Sequence, residues 1–503
     1  MYESSYSKPS FSSASGRLNA TILAAAILVG GWLRLHDLGA SDMTADEAPS
    51  WVSASAPTVG EVVRQGLQLN PGKLAVHDIV LHFWMLAFGD SMSSIRALSA
   101  LLGTLAIALV FVVTRELFPP EEETEVSLFA SDSSNIAALS ALVFALNVVA
   151  IRYSREGRMY ALMLDVVLCQ LWFFLRAVRR GGLANYVGIA LFSIVAVATS
   201  FVAGLVFLAE GLCLLLALRP GITGWPYSWY AAVSMLVAGA IVVGLIPWHQ
   251  LVEKASFFSW IGPGFLTEYV LGFFWPAVQT PVLAVTLLLA AWGVIRGLRK
   301  YPEAVGFAIA WLIVPLLPLA LWLGPVILLT VTVYSWTPVF AHRWALTCIV
   351  PLCILIAVGI REIPGTVARM AIVGLVVVLA GFRIHSYNPN SGDMEWGVQW
   401  RAATEAALPE LKAGRPVEVV PGYGMYVIRY YSRNDHVDPT LLSPDNLRAQ
   451  VLVLADSAES LLPDALRGLH RRYFLQRARA RGVTVLDTPM AVGQSLEAVP
   501  QAQ

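Results

Sequence analysis

The chain has 503 residues, 57% of them hydrophobic and 14% charged, with 34 basic and 34 acidic side chains and a mean hydropathy of +0.65. So apolar a composition excludes an ordinary soluble globular protein, and zero net charge gives no ground for a nucleic-acid partner. Apolar runs of span length recur without the ten-residue alternation of a β-barrel, which predicts an α-helical polytopic membrane protein.

The N-terminal stretch MYESSYSKPSFSSASGR is polar and Ser-rich and precedes the first apolar run without a small-residue cleavage site, so residues 1–17 are expected to be a cytoplasmic tail. Spans are predicted near 18–37, 96–115, 135–151, 159–176, 185–200, 201–218, 230–248, 280–297, 305–323, 343–360 and 368–385. With two shorter apolar segments, 74–89 and 264–280, the count is about 11–13 transmembrane helices. Both short segments are read as helices lying in or dipping into the outer interface, where aromatic residues are favoured. An inside N-terminus puts Arg115, Arg176, Arg179, Arg180, Arg219, Arg296, Arg299, Lys300, Arg361 and Arg369 on the inner side, as the positive-inside rule requires. The same parity puts the long first loop, 38–95, and everything after about residue 386 outside.

Cys169, Cys213, Cys348 and Cys353 all fall in apolar stretches and read as small core residues. No internal repeat of transporter type is visible. Beyond residue 387 the pattern changes. PVEVV, QVLVLAD and GVTVLD are β-type runs, while TEAALPELKAG and SAESLLPDALRGLHRRYFLQRARARG have helical spacing. Residues 387–503 are therefore expected to form a small extracytoplasmic α/β domain behind a transmembrane domain of residues 18–386.

Four places could carry chemistry. Asp46 and Glu47 follow the first span in MTADEAPSW; Asp46 could serve as a general base and Glu47 could orient it or hold a metal, or both could simply cap a helix starting at Ala48-Pro49. AIRYSREGRMYAL brings Arg152, Arg155 and Arg158 to the outer side against the charge trend, with Glu156 and Tyr160 beside them. That cluster suits a phosphate group or a lipid headgroup anchor. His77 and Asp78, downstream of Lys73, are an acid–base couple or a solvated helix start. YSWTPVFAHRWAL sets His342 and Arg343 at the mouth of a late span, to meet the same phosphate or to snorkel. Asp165 and Glu210 lie within spans, where ionisable groups draw functional suspicion.

In their order along the chain, ADEAPSW (45–51), LHFWMLAFGDSMSSIRALSALLG (81–103), YSREGRMYALML (153–164) and TPVFAHRWALTCIVPL (337–352) resemble motifs of the glycosyltransferase C superfamily. The nearest groups are the bacterial relatives of protein O-mannosyltransferase and of the lipid A aminoarabinose transferase, in glycosyltransferase family 39. EWGVQWRAATEAAL (395–408) continues like their outer C-terminal domain. The resemblance implies a GT-C fold and transfer of a sugar from a polyprenyl-phosphate donor to an acceptor hydroxyl on a lipid, glycan or protein. It implies that Asp46 is the catalytic base with Glu47 as its acidic neighbour, and that Arg158 and Arg343, with Tyr160, lie near the lipid phosphate. Arg155 and Lys73 are candidate helpers there, and His77, Asp78, Glu156 and His342 are candidates around the acceptor. Arg96 matches the Arg that starts the next span. The chain departs from the family at Lys73–Asp78, where Pro-Pro-Leu-Tyr-Tyr is usual, and at Pro49-Ser50, where an aromatic pair is usual. No cofactor is called for, although a divalent metal at Asp46 and Glu47 is compatible with the chemistry. A flippase for lipid-linked substrates and a non-catalytic envelope-assembly scaffold remain the alternatives. The expected location is the inner membrane.

Overall fold

A computed structural model describes residues 14–44, 46–70, 73–118, 132–217, 227–245, 280–316, 346–386, 399–420, 424–435, 437–443, 451–455, 475–480 and 483–487. Its helices run in the order α1 (Ala14–Leu35), α2 (Glu47–Ala54), α3 (Val59–Leu69), α4 (Val76–Phe88), α5 (Met92–Leu117), α6 (Asp132–Ala145), α7 (Val148–Ser154), α8 (Tyr160–Arg180) and α9 (Leu183–Thr199). They continue with α10 (Gly204–Ala217), α11 (Ser228–Leu245), α12 (Thr280–Lys300), α13 (Pro302–Ile313), α14 (Ile349–Arg361) and α15 (Thr366–Ser386). After these come α16 (Trp400–Lys412), β1 (Val417–Val420), α17 (Gly424–Tyr431), β2 (Leu442–Ser443), β3 (Val451–Ala455), β4 (Leu475–Ala480) and β5 (Val483–Asp487). The chain packs as two units, one drawn from Met1–His36, Pro71–His77 and Arg96–Tyr387, the other from Asp37–Asn70, Asp78–Ile95 and Asn388–Gln503.

The first unit is all helix. Among the described residues α1, α5 and α8 are each long and apolar enough to cross a membrane alone. At 1.5 Å per residue, the 22 residues of α1 reach about 33 Å, the thickness of a bilayer core. The helices α9, α10, α11, α13, α14 and α15 are shorter and apolar. Large apolar side chains stay exposed on these helices and on α12, among them Leu28, Trp32, Leu191, Leu236, Leu288 and Val378. A helix apolar on its inner and outer faces alike belongs in lipid. The run predicted as one span over 135–151 is instead a bent pair, α6 and α7, meeting at 64°. Asn147 breaks it: its backbone is extended and its side-chain oxygen accepts the Ala150 N–H at 3.0 Å, capping α7 in place of continuing α6.

The core of this unit is α14, whose residues Ile349 to Ile360 are all buried. It crosses α12 at two glycines. A Cβ built on Gly293 would meet the Leu355 carbonyl, and one on Gly359 would meet the Leu289 carbonyl, so the backbones touch where neither side chain exists. The helices α8 and α9 form a hairpin closed by Gly181 and Gly182 at φ 66° and 98°, a left-handed turn that other residues resist. The first residue of α8 and the last of α9 therefore lie at the same end of the unit.

The second unit is mixed. Its sheet has the order β2-β1-β3-β5-β4; β1 pairs parallel with β2 and β3, while β3–β5 and β5–β4 are antiparallel. Val417 and Val419 of β1 are buried, as a parallel strand between two neighbours requires. The helix α16 packs against this sheet, and α17 packs against α16, β1 and α2. The predicted strands over PVEVV, QVLVLAD and GVTVLD and the helix over TEAALPELKAG are all present. LQRARA differs: expected to be helical, it is strand β4, because antiparallel pairing with β5 outweighs its helix-forming composition. Residues 457–474, read as helical, lie outside the described residues, as does the segment 264–279.

Candidate active site

In the second unit the acidic pair sits on a turn built by its neighbours. Thr44 and Glu47 hold each other: the Glu47 carboxylate accepts the Thr44 N–H at 2.9 Å, and Thr44 Oγ1 accepts the Glu47 N–H at 3.2 Å. This reciprocal arrangement is a capping box, with the Thr three residues ahead of the Glu. Asp46, between them, has helical backbone angles (φ −74°, ψ −32°), and its side chain makes no cap hydrogen bond. The capping role open to both acidic residues thus falls to Thr44 and Glu47. Glu47 is fully buried and Asp46 partly exposed.

The short α2 that follows is buried along nearly its whole length. Trp51 Nε1 donates to Asp90 Oδ2 at 3.3 Å, and the Trp51 ring meets the edge of Tyr430 at 5.1 Å. The His82 ring nitrogen Nδ1 lies 2.8 Å from the Ala54 carbonyl, tying the end of α2 to α4. Ahead of the turn, the Met43 N–H donates to Tyr431 Oη at 2.8 Å, and the Arg401 N–H donates to Asp42 Oδ2 at 2.9 Å. Burial pushes the Tyr431 phenol up to about 12, with the Asp42 charge adding to the effect.

In the first unit one end gathers buried cations. Arg158 follows α7 and Tyr160 opens α8; both are buried, and the Arg158 guanidinium lies 6.0 Å from the centre of the Tyr160 ring. Ser99 of α5 donates to the Arg158 carbonyl at 3.2 Å, and Arg96, one turn earlier on the same face, is 4% exposed. At the end of α9, the Ala198 carbonyl accepts the Leu74 N–H at 2.7 Å, which fixes the Lys73 segment at this same end. Lys73 is 1% exposed, and Ala75 beside it holds a left-handed backbone at φ 58°, a strained state for a residue with a Cβ. Arg152 pairs with Glu156 at 3.3 Å. Arg155 does something else: its Nη1 donates to the carbonyls of Leu33, Arg34 and His36 at 3.0, 3.3 and 2.6 Å, satisfying the C-terminal end of α1.

His77 and Asp78 are buried in the first turn of α4, so the solvated helix start does not apply to them. His342 and Arg343 lie outside the described residues. Among the described residues no three His, Cys, Asp or Glu side chains gather as metal ligands. Inside the helical unit, Glu210 accepts from Gln170 Nε2 at 2.9 Å, a partner that sequence reasoning did not supply. Asp165 lies within electrostatic reach of the fully buried Arg34, which donates to Gly30, Ala145 and Ser154. Asp90, Arg433 and Tyr431 were also not foreseen, because nothing in their local sequence marks partners more than 300 positions away.

No family model matches the chain, and no curated protein matches it in sequence. Solved structures do resemble it. The crystal structure of ArnT from Cupriavidus metallidurans bound to undecaprenyl phosphate shares 15% identity with a TM-score of 0.52, over 97% of this chain and 100% of that one. The apo state of the same protein gives 16% identity, the same TM-score and the same coverage. The oligosaccharyltransferase AglB from Archaeoglobus fulgidus, in complex with an inhibitory peptide and a dolichol phosphate, follows at 12% identity and a TM-score of 0.48, over 96% of this chain and 75% of that one. The fold of this chain is the GT-C fold of a helical polytopic membrane protein with an α/β C-terminal region.

Proposed function

We propose that this chain is an inverting glycosyltransferase of the inner membrane that moves a sugar from a polyprenyl phosphate to an acceptor hydroxyl. In this reading the N-terminus is inside, and the acidic turn and the C-terminal α/β domain face the outside. The observation that carries it is the burial of Lys73, Arg96 and Arg158 at one end of a GT-C bundle. Two guanidinium groups and an ammonium gathered at one end of the bundle suit a phosphate, which a guanidinium binds in a fork. The likeness over the whole chain to a protein crystallised with undecaprenyl phosphate supports the same donor class.

In the mechanism, the Asp46 carboxylate takes the proton of the acceptor hydroxyl. The oxygen attacks the anomeric carbon from the face opposite the phosphate. The bond from that carbon to the phosphate oxygen breaks, the electron pair leaves with the phosphate, and the configuration inverts. The departing polyprenyl phosphate needs charge stabilisation more than protonation, which Arg158, Lys73 and Arg343 would supply. Glu47 holds the turn through Thr44, and Arg155 holds the α7–α8 connection against α1. His77, Asp78, Glu156 and His342 remain candidates for the acceptor side. No step requires a metal.

The test is release of polyprenyl phosphate by the purified full chain in lipid, supplied with mannosyl and pentosyl polyprenyl phosphates separately and a membrane extract as acceptor. Wild type is expected to release it from one donor, and Asp46→Asn to lose at least about a hundredfold of that rate. Folded wild-type protein that releases nothing from any donor would transfer the reading to the flippase or scaffold.

A further inference from the structure

The acidic turn is gripped on both sides by residues near the C-terminal end of the chain. Before it, Met43 is tied to Tyr431 and Asp42 to Arg401. After it, Trp51 is tied to Asp90, and Asp90 is a junction. Its carboxylate accepts Arg433 Nε at 2.9 Å as well as Trp51 Nε1, and its carbonyl accepts the Tyr430 hydroxyl at 3.2 Å. The Arg433 guanidinium also lies over the Tyr430 ring, 4.0 Å from its centre, and that ring meets Trp51. Polar bonds and ring contacts thus fix the backbone three residues ahead of Asp46 and five residues behind it.

We infer that Arg433, Asp90 and Tyr431 are positioning residues for the Asp46 carboxylate, so that the α17 segment sets the geometry of the proposed base. This rests on the assignment of Asp46 under the proposed function. None of the three touches a reacting atom in this account; each acts through the backbone of the turn or through α2. Arg433 suits the task because a guanidinium fork can bond a carboxylate and lie on an aromatic ring at once, which an ammonium cannot do. A general base must sit within hydrogen-bond reach of the proton it removes, and a shift of about 1 Å costs on the order of a hundredfold in rate.

Full-length protein in lipid tests this with two readouts. The first is transfer kinetics for Arg433→Ala, Tyr431→Phe and the charge exchange Asp90→Arg with Arg433→Asp. The second is amide hydrogen exchange over residues 42–54. Arg433→Ala is expected to lower kcat about tenfold or more with the donor KM within about twofold, and to speed exchange over 42–54. The charge exchange should recover part of the rate that either single change removes. If Arg433→Ala yields no folded protein, Arg433→Lys, which keeps the charge and loses the fork, carries the same expectation. Unchanged kcat with unchanged exchange overturns the inference, as does a loss that falls wholly on donor KM. If wild type shows no transfer at all, the proposed function fails instead, and faster exchange in Arg433→Ala alone then decides whether the grip exists.

Discussion

Thr44 does at the acidic turn what an aspartate beside a helix usually does, and so Asp46 is spared the duty. Because Glu47 works through a hydrogen bond it accepts, an amide can partly replace it, whereas a general base must take up a proton, which an amide does not. Glu47→Gln is therefore expected to keep transfer within about tenfold of wild type while Asp46→Asn is crippled; equal losses in a donor-release assay would sink the division of roles. Arg158 and Arg155, three residues apart, divide in a similar way. Arg158→Ala should weaken binding of polyprenyl phosphate about tenfold or more, measured by displacement of a labelled lipid phosphate. Arg155→Ala should lower thermal stability first, because it strips donors from three carbonyls at the end of α1. Tyr431 adds a dependence on pH. Its phenol titrates at about 12 in the fold against about 10 when unfolded, so its contribution is complete below pH 10 and is lost as pH rises through 12. The contribution is about 3 kcal/mol at most, and Tyr431→Phe should flatten the alkaline fall in stability followed by tyrosinate absorbance.

Among the described elements, the α12–α14 crossing brings two backbones into direct contact. Gly293 and Gly359 each occupy a place where a Cβ would strike the partner backbone, which cannot yield as a side chain would. Gly359→Val should cost at least about 1–3 kcal/mol and lower the melting temperature in detergent, and Gly293→Val should do the same. Much at this scale was legible in the sequence. The helices α1, α5 and α8 follow from apolar run length alone, and β1, β3 and β5 from short β-branched runs. The α6–α7 bend was hidden because hydropathy does not register that Asn147 competes with the helix for its own backbone. LQRARA was misread because its strand state comes from β5, not from itself. Asp46 stood out by its place after the first span. The grip on it did not, since the Arg433–Asp90 pair joins segments whose local sequences say nothing of each other. The burial of His77 and Asp78 was equally invisible, because a charged helix start normally faces water.

At the scale of the whole molecule, the second unit is discontinuous in sequence: it takes the first loop from near the start of the chain and its sheet from the end. Ending the chain before α16 removes the partners of Asp42, Met43 and Asp90. Such a shortened protein is expected to enter the membrane and to transfer no sugar, with residues 42–54 open to protease; protection equal to that of the full chain would contradict this. The same discontinuity sets a clock during synthesis. Met43 and Tyr431 are 388 positions apart, and translation at about 5–20 residues per second separates them by roughly 20–80 s. For that interval a ribosome-bound chain carries its acidic turn without the residues that hold it. Under the proposed function, competence for chemistry therefore waits until α17 has been made, and a copy that stops short of it is expected to be inert.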